Sequence, residues 1–208
     1  MNGFRKLPTG WIRAEPGLKR FQGGKETGTN LAALKCLLAI TLMADFNTLT
    51  AKVSYSDLMA LTNLSKPMIP RAIGKLSDER LVEVCRAGNT NTYRLVASFE
   101  GDHYWAKVPY DRVRNALKKL PNRGEVTLGA LKIYIQLLAL RRNDVRQVWI
   151  SYEKLRDRTG MQKIRIKPGL DVLFSNLMIH VQKVEEFDLQ KGAEHSHNVY
   201  TITGDLRI

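Results

Sequence analysis

The 208-residue chain is 44% hydrophobic, 25% charged and 8% aromatic, a balance that excludes a disordered or fibrous protein. Because 33 Lys and Arg residues oppose 20 Asp and Glu, the net charge is +13, which attracts polyanions and makes nucleic acid the first partner to expect. The longest apolar run, Cys36–Ile40, is far shorter than the roughly 20 residues of a membrane span, and Met1–Gly10 has no apolar signal-peptide core. Cys36 and Cys85, each in an apolar stretch, are expected to be buried reduced thiols, so a cytoplasmic protein without a membrane partner is predicted.

Residues 1–28 are predicted to form a basic arm ahead of the first domain. Its cations outnumber the carboxylates Glu15 and Glu26, which is typical of an arm that enters the DNA minor groove or of a disordered tether. Within the arm, Trp11–Pro16 is predicted to be a short extended segment, because proline disfavours helix in the residue before it. The cations are Arg5, Lys6, Arg13, Lys19, Arg20 and Lys25.

The residues after the arm predict a helix-turn-helix followed by a β-hairpin. Asn30–Phe46 is apolar on nearly every face, which indicates a helix buried on most sides. Ser56 is expected to cap a second helix that has Asp57 in its first turn, and a turn at Asn63 separates this helix from a third. The third helix is expected to run through Leu76, and strands are expected at Val53–Tyr55, Leu81–Cys85 and Thr92–Val96.

The second half of the chain matches the first at a constant offset of 97 residues, the separation of Leu31 from Leu128. Leu31–Lys35 aligns with Leu128–Lys132, and Val53–Leu58 aligns with Ile150–Leu155, without a gap. This match predicts an internal duplication. The second copy is expected to have a strand at Trp105–Pro109, a core helix over Thr127–Arg142, a second helix that ends at a left-handed Gly160, a third helix over Pro168–Asn176, and a hairpin longer than that of the first copy.

These segments resemble the winged-helix family. The residues from Tyr55–Leu58 through Ser65–Pro67 to Leu81–Val82 are similar to the family's second helix, recognition helix and first wing strand. Two such units in one chain resemble the tandem winged-helix replication initiators of plasmids and winged-helix transcriptional regulators. The predicted fold is therefore α+β and mainly helical, with two tandem winged helix-turn-helix domains at residues 29–98 and 127–208, joined by a linker at residues 99–126.

The resemblance implies that the third helix of each domain enters the DNA major groove, while basic residues of neighbouring elements hold phosphates. In the first domain the candidate DNA-binding residues are Ser65, Lys66, Met68, Arg71 and Lys75, with Arg86 and Arg94 in the wing. In the second domain they are Gln162, Lys163, Arg165 and Lys167, with Lys191 in the wing.

Two features qualify this assignment. Pro70 and Pro168 indicate that the third helices start late, which would leave Lys66 and Arg165 on the preceding turn and closer to phosphate than to bases. Between Arg141 and Leu170, nine Lys and Arg oppose three Asp and Glu, so the second domain is expected to dominate the contact. A basic face that is merely solvated is the alternative interpretation.

The chain has no recognisable catalytic pattern. It lacks a Gly-rich phosphate-binding loop, and the carboxylates are scattered among basic residues. His195 and His197 flank a serine in an expected polar wing, where no third ligand supports a metal site. A protein without enzymatic activity, metal or cofactor is therefore predicted.

The leading functional prediction is a protein that binds double-stranded DNA at a specific sequence and acts in replication initiation or in transcription. The replication or transcription machinery is then expected as a further partner. The alternative is an architectural or partner-binding tandem winged-helix subunit. RNA binding is a weaker prediction, because Trp11, Tyr104 and Trp105 are expected to pack in strands instead of stacking on bases. The sequence leaves open whether two chains form a homodimer.

Overall fold

The computed structural model describes residues 3–87, 90–97, 104–188 and 193–206, and it is α+β with 52% helix and 21% strand. The mainly helical α+β class predicted above is therefore confirmed. The elements of the first half are β1 (Phe4–Pro8), α1 (Gly10–Arg13), 3-10 helices at Gly17–Arg20 and Gly24–Glu26, α2 (Thr27–Met43), β2 (Thr50–Val53), α3 (Tyr55–Thr62), α4 (Met68–Asp78), β3 (Val82–Ala87) and β4 (Thr90–Leu95).

The second half has the same order of elements, except that the single helix α5 stands in place of α1 and the two 3-10 helices. The elements of the second half are β5 (Trp105–Pro109), α5 (Tyr110–Lys119), α6 (Glu125–Leu140), β6 (Gln147–Trp149), α7 (Tyr152–Thr159), α8 (Lys163–Ser175), β7 (Ile179–Asp188) and β8 (Ala193–Ile202). Two three-stranded antiparallel sheets have equivalent orders, β2-β4-β3 and β6-β8-β7. The prediction that the third helix of the second half begins at Pro168 is wrong, because α8 begins five residues earlier and contains this proline in its interior.

The second helix of each half is bounded in the same way. The Ser54 side chain accepts a hydrogen bond from the Asp57 amide, and the Asp57 carboxylate accepts one from the Ser54 amide at 3.0 Å, so Ser54 caps α3 in place of the predicted Ser56. Ser151 caps α7 through the Lys154 amide. Both helices end at a left-handed residue, Asn63 in α3 and the predicted Gly160 in α7.

Replacing Ser54 with alanine is expected to lower the free energy of unfolding by about 1 kcal/mol, because the Asp57 amide loses its acceptor at the start of α3. Denaturant unfolding of S54A beside wild type measures the change. Ser56→Ala is the matched control, since Ser56 is exposed and is not the cap. Equal losses in the two variants would contradict the assignment.

From Phe4 onward the N-terminal segment packs into the protein, which corrects the prediction that residues 1–28 form a basic arm ahead of the first domain. Phe4, Leu7, Trp11 and Phe21 are buried in the hydrophobic core. The predicted extended segment at Trp11–Pro16 is also wrong, because α1 includes Trp11 and the strand lies earlier, in β1. The free energy gained by burying these four apolar side chains holds the segment in the core, although positively charged residues lie between them.

Each half begins with a segment that precedes its core helix, residues 3–26 in the first half and residues 104–124 in the second. We call these the leading segments, and each of them packs partly on the other half. β1 pairs with β5 in antiparallel register, from Phe4 opposite Pro109 to Pro8 opposite Trp105. Helix α5 packs against α2 and α3 of the first half, whereas α1 and the 3-10 helix at Gly17–Arg20 pack against α6 and α7 of the second. The predicted strand at Trp105–Pro109 is confirmed, but residues 110–119 form a helix that packs on the other half, so the region is not a simple linker.

Helices α2 and α6 are buried on most sides, as their uniformly apolar faces predicted, and they also pack against each other at the centre of the protein. Each contains one buried lysine at the equivalent position. Lys35 donates to the Leu120 carbonyl at 2.9 Å, and Lys132 donates to the Phe21 carbonyl at 2.8 Å. Both bonds tie a core helix to the end of the leading segment that crosses from the other half. Cys36 is buried as predicted, and burial raises its pKa to about 12, but Cys85 is exposed, which corrects the prediction for that thiol.

Burial lowers the pKa of Lys35 and of Lys132 to about 8, so between pH 8 and 10 the unfolded chain binds more protons than the folded one. Stability therefore gains with rising pH from each lysine, by about 2 kcal/mol over this interval. The difference in unfolding free energy between wild type and Lys132→Met, measured with denaturant at each pH, is expected to shift in favour of wild type by this amount. Both proteins contain Cys36, so its contribution to the pH dependence of stability cancels in that difference. Parallel profiles of unfolding free energy against pH would contradict a lowered pKa for Lys132.

Candidate nucleic-acid interface

The candidate interface is built on α4 and α8, the third helices of the two halves. The buried face of α4 consists of Ile69, Ala72, Ile73 and Leu76, which pack toward α2. Pro70 lies in the first turn of α4, where proline is tolerated, and Lys66 lies on the turn before the helix, as predicted. The opposite face of α4 is exposed to solvent.

Helix α8 approaches α6 closely. A Cβ on Gly169 would lie 3.0 Å from the Ile133 side chain and 3.3 Å from the Ala130 backbone nitrogen, so glycine permits this packing. Because α8 begins at Lys163, Arg165 is in the first helical turn and not on the preceding turn, which corrects the position expected from Pro168. The outward face of α8 presents Lys163 and Lys167.

Four of the predicted cations are exposed and have no ion pair with any residue that the structure describes. They are Lys66, Arg71, Lys163 and Lys167, two in each half. Lysine and arginine in this state can exchange their counterions for phosphates without breaking a protein contact. We call these four residues the free cations.

Three other predicted cations are already paired. Lys75 contacts Glu79 at 2.7 Å, and Arg165 contacts Glu125 at 2.6 Å with both side chains about one-third exposed. Arg94 donates through Nε to Glu83 at 2.9 Å across the β3–β4 hairpin. Contacts of these cations with a polyanion would have to compete with a carboxylate.

The uncharged candidates differ in their exposure. Ser65 is exposed and its carbonyl accepts a hydrogen bond from the Met68 amide at 2.9 Å. Met68 is half-buried against the core, so only part of its side chain is accessible to a partner. Gln162 is exposed and its side-chain oxygen lies 3.4 Å from Arg165 Nε. Ser65 and Gln162 therefore occupy equivalent positions before the two helices, with their side chains accessible.

Two candidate residues of the wings lie outside the part of the chain that the structure describes. For Arg86 this applies to the side chain, and for Lys191 it applies to the whole residue. The side chains of His195 and His197 are outside it as well, and the described residues contain no cluster of three metal-ligating side chains.

Sequence reasoning did not single out the basic residues of α7. Lys154 and Arg158 are exposed and four residues apart, so they share one helix face, and Arg156 lines a cleft of about 240 Å³ together with Lys163. Their high local charge was visible in the sequence, and the four-residue spacing was the available signal for a common face.

No protein-family model matches the chain, and a search of curated proteins gives no significant match. In the described part of the chain, no helix is both long enough and apolar enough to cross a membrane.

Proposed function

We propose that the chain is a sequence-specific double-stranded DNA-binding protein with two winged-helix heads, related by internal duplication and used in replication initiation or transcription. The observation that carries the proposal is the repeated arrangement of the free cations: each half exposes two of them at or just before its third helix. A helix of this kind fits the major groove, and adjacent cations hold the backbone phosphates.

The packing of α2 against α6 further supports a two-headed reader. Each of these helices also carries the third helix of its own half, so α4 and α8 are held through a buried core and not through a flexible tether. Two heads at a constant separation suit two half-sites at a constant spacing on DNA. A single chain would then act as a pseudo-dimer.

Selection from a random duplex DNA pool, followed by sequencing of the bound fragments across a salt series, tests the proposal. We expect one enriched motif with two spaced half-sites, and a linear fall of log K with log salt. The location of the motif at promoters or at an origin would separate transcription from replication. Salt-sensitive binding without a motif would contradict sequence-specific reading.

A second candidate function is an architectural or partner-binding subunit. The observation that favours it is a set of exposed apolar side chains in the second half, among them Trp149 at 54% and Ile164 at 77% exposure. The equivalent positions of the first half, 97 residues earlier, are Lys52 and Pro67. Absence of any DNA binding in the selection experiment would favour this function.

A further inference from the structure

The two buried lysines have different surroundings, although their positions are equivalent. In the first half, Lys35 donates to the Leu120 carbonyl and also to the side-chain oxygen of Asn122 at 2.5 Å. The side-chain nitrogen of Asn122 donates in turn to the carbonyl of Asn63, at the end of α3. The Asn122 carboxamide therefore fills the space between the lysine and the turn after α3.

In the second half, the position that corresponds to Asn122 is occupied by glycine. The residue two positions after Phe21 is Gly23, which corresponds to Asn122, two positions after Leu120. Within the described residues, Lys132 donates to one acceptor, the Phe21 carbonyl. Lys35 donates one of its hydrogen bonds to Asn122. No described side chain accepts the corresponding hydrogen bond from Lys132, so its ammonium group has a donor to spare.

An open cavity of about 450 Å³ lies where the carboxamide would be. It is lined by Lys19, Gly23, Leu128, Lys132, Met161 and Arg165, and also by Gly160, which is the counterpart of Asn63. At its rim, Glu125 accepts from the Gly24 amide at 2.9 Å and pairs with Arg165, and Lys19 pairs with Glu15. Lys132 is the lining cation without a carboxylate partner among the described residues.

We propose that this cavity binds a small organic anion whose carboxylate or phosphate oxygen accepts from Lys132, in the place that the Asn122 carboxamide occupies beside Lys35. The volume is in the range of small-molecule sites, and Leu128 and Met161 supply apolar wall for the body of the ligand. An anion is favoured over a neutral acceptor because the buried ammonium is the unpaired charge of the cavity. This site does not depend on DNA binding.

Thermal unfolding with inorganic phosphate, citrate or AMP, each against sodium chloride of equal ionic strength, tests the proposal. At least one probe is expected to raise Tm by roughly 5–10 °C at a concentration about 100 times its Kd. An increase with phosphate and AMP but not with citrate would indicate a phosphate ligand, and an increase with citrate alone would indicate a carboxylate ligand. No increase with any of the three would overturn the proposal.

The matched variants are Gly23→Asn and Lys132→Met, both of which are expected to abolish the increase. Gly23 has φ −79° and ψ −159°, so its backbone accepts a side chain, and the added Cβ would meet the movable carboxylate of Glu125 at 2.8 Å. Lys154→Met, on the exposed face of α7, controls for unspecific attraction of anions to a basic protein and is expected to keep the full increase. A Tm increase that persists in Gly23→Asn would show that the anion binds elsewhere.

Discussion

A variant in which all four free cations are replaced, K66A/R71A/K163A/K167A, is expected to bind duplex DNA about 1000-fold more weakly than wild type. The estimate takes about 1 kcal/mol for each DNA-contacting side chain, the lower end of the usual range. The four side chains are exposed and outside the core, so the Tm should stay unchanged. Fluorescence anisotropy with a labelled duplex measures the affinity, and thermal unfolding checks the fold.

The salt dependence distinguishes direct phosphate contacts from general attraction. Each lost phosphate contact should lower the slope of log K against log salt by about 0.9. The matched control removes the same charge from exposed residues outside α3, α4, α7 and α8, in the variant K25A/R114A/K118A/K119A. An equal loss of affinity in the control would mean that net charge, and not α4 and α8, determines binding.

Local patterns were sufficient to predict several of the elements. The uniformly apolar helices α2 and α6, the left-handed turn at Gly160 and the strand at Trp105–Pro109 each depend on residues close in sequence. Helix bounds were less certain, because the hydrophobic pattern determines which face is buried and not where the first turn begins. Pro168 illustrates this: it sits inside α8, whose packing on α6 outweighs the proline's local preference.

Contacts between residues far apart in the chain could not be predicted. Arg165 was expected at the DNA surface, but it pairs with Glu125, 40 positions away in sequence, and no local spacing indicates this pair. The exchange of leading segments was hidden for the same reason. The N-terminal segment contains apolar residues that indicate a buried surface, namely Phe4, Leu7, Trp11 and Phe21. Its sequence does not indicate which half of the protein covers that surface.

The exchange also determines how the candidate surface is held. Lys35 and Lys132 each anchor a leading segment to the core helix of the other half, and both core helices carry a candidate recognition helix. Each of these segments also packs against the second helix of the opposite half, α5 against α3 and the 3-10 helix at Gly17–Arg20 against α7. The placement of α4 relative to α8 thus depends on the whole core, which is the arrangement that the proposed two-headed reader requires.

Neither half is expected to fold alone when cut at the boundaries that the repeat predicted. A fragment of residues 29–98 lacks α5, which covers α2 and α3, and also lacks α6, against which α2 packs. Leu31, Leu34 and Leu38, all fully buried, belong to the helix whose partners are removed. Exposing each such side chain costs about 1.5–3 kcal/mol. For these three leucines the sum is about 5–9 kcal/mol, a large part of the 5–15 kcal/mol stability of a typical domain.

Circular dichroism of the fragment of residues 29–98 should show little helix and no cooperative thermal transition. The matched control divides the chain between the halves without removing any element, with residues 1–100 and 101–208 co-expressed as two chains. Since β1 still pairs with β5 and each leading segment still reaches the opposite half, the two chains should assemble as a 1:1 complex that melts cooperatively. Cooperative folding of the fragment of residues 29–98 alone would contradict this expectation, because it would show that the exchanged segments are not needed and that the two halves are independent domains.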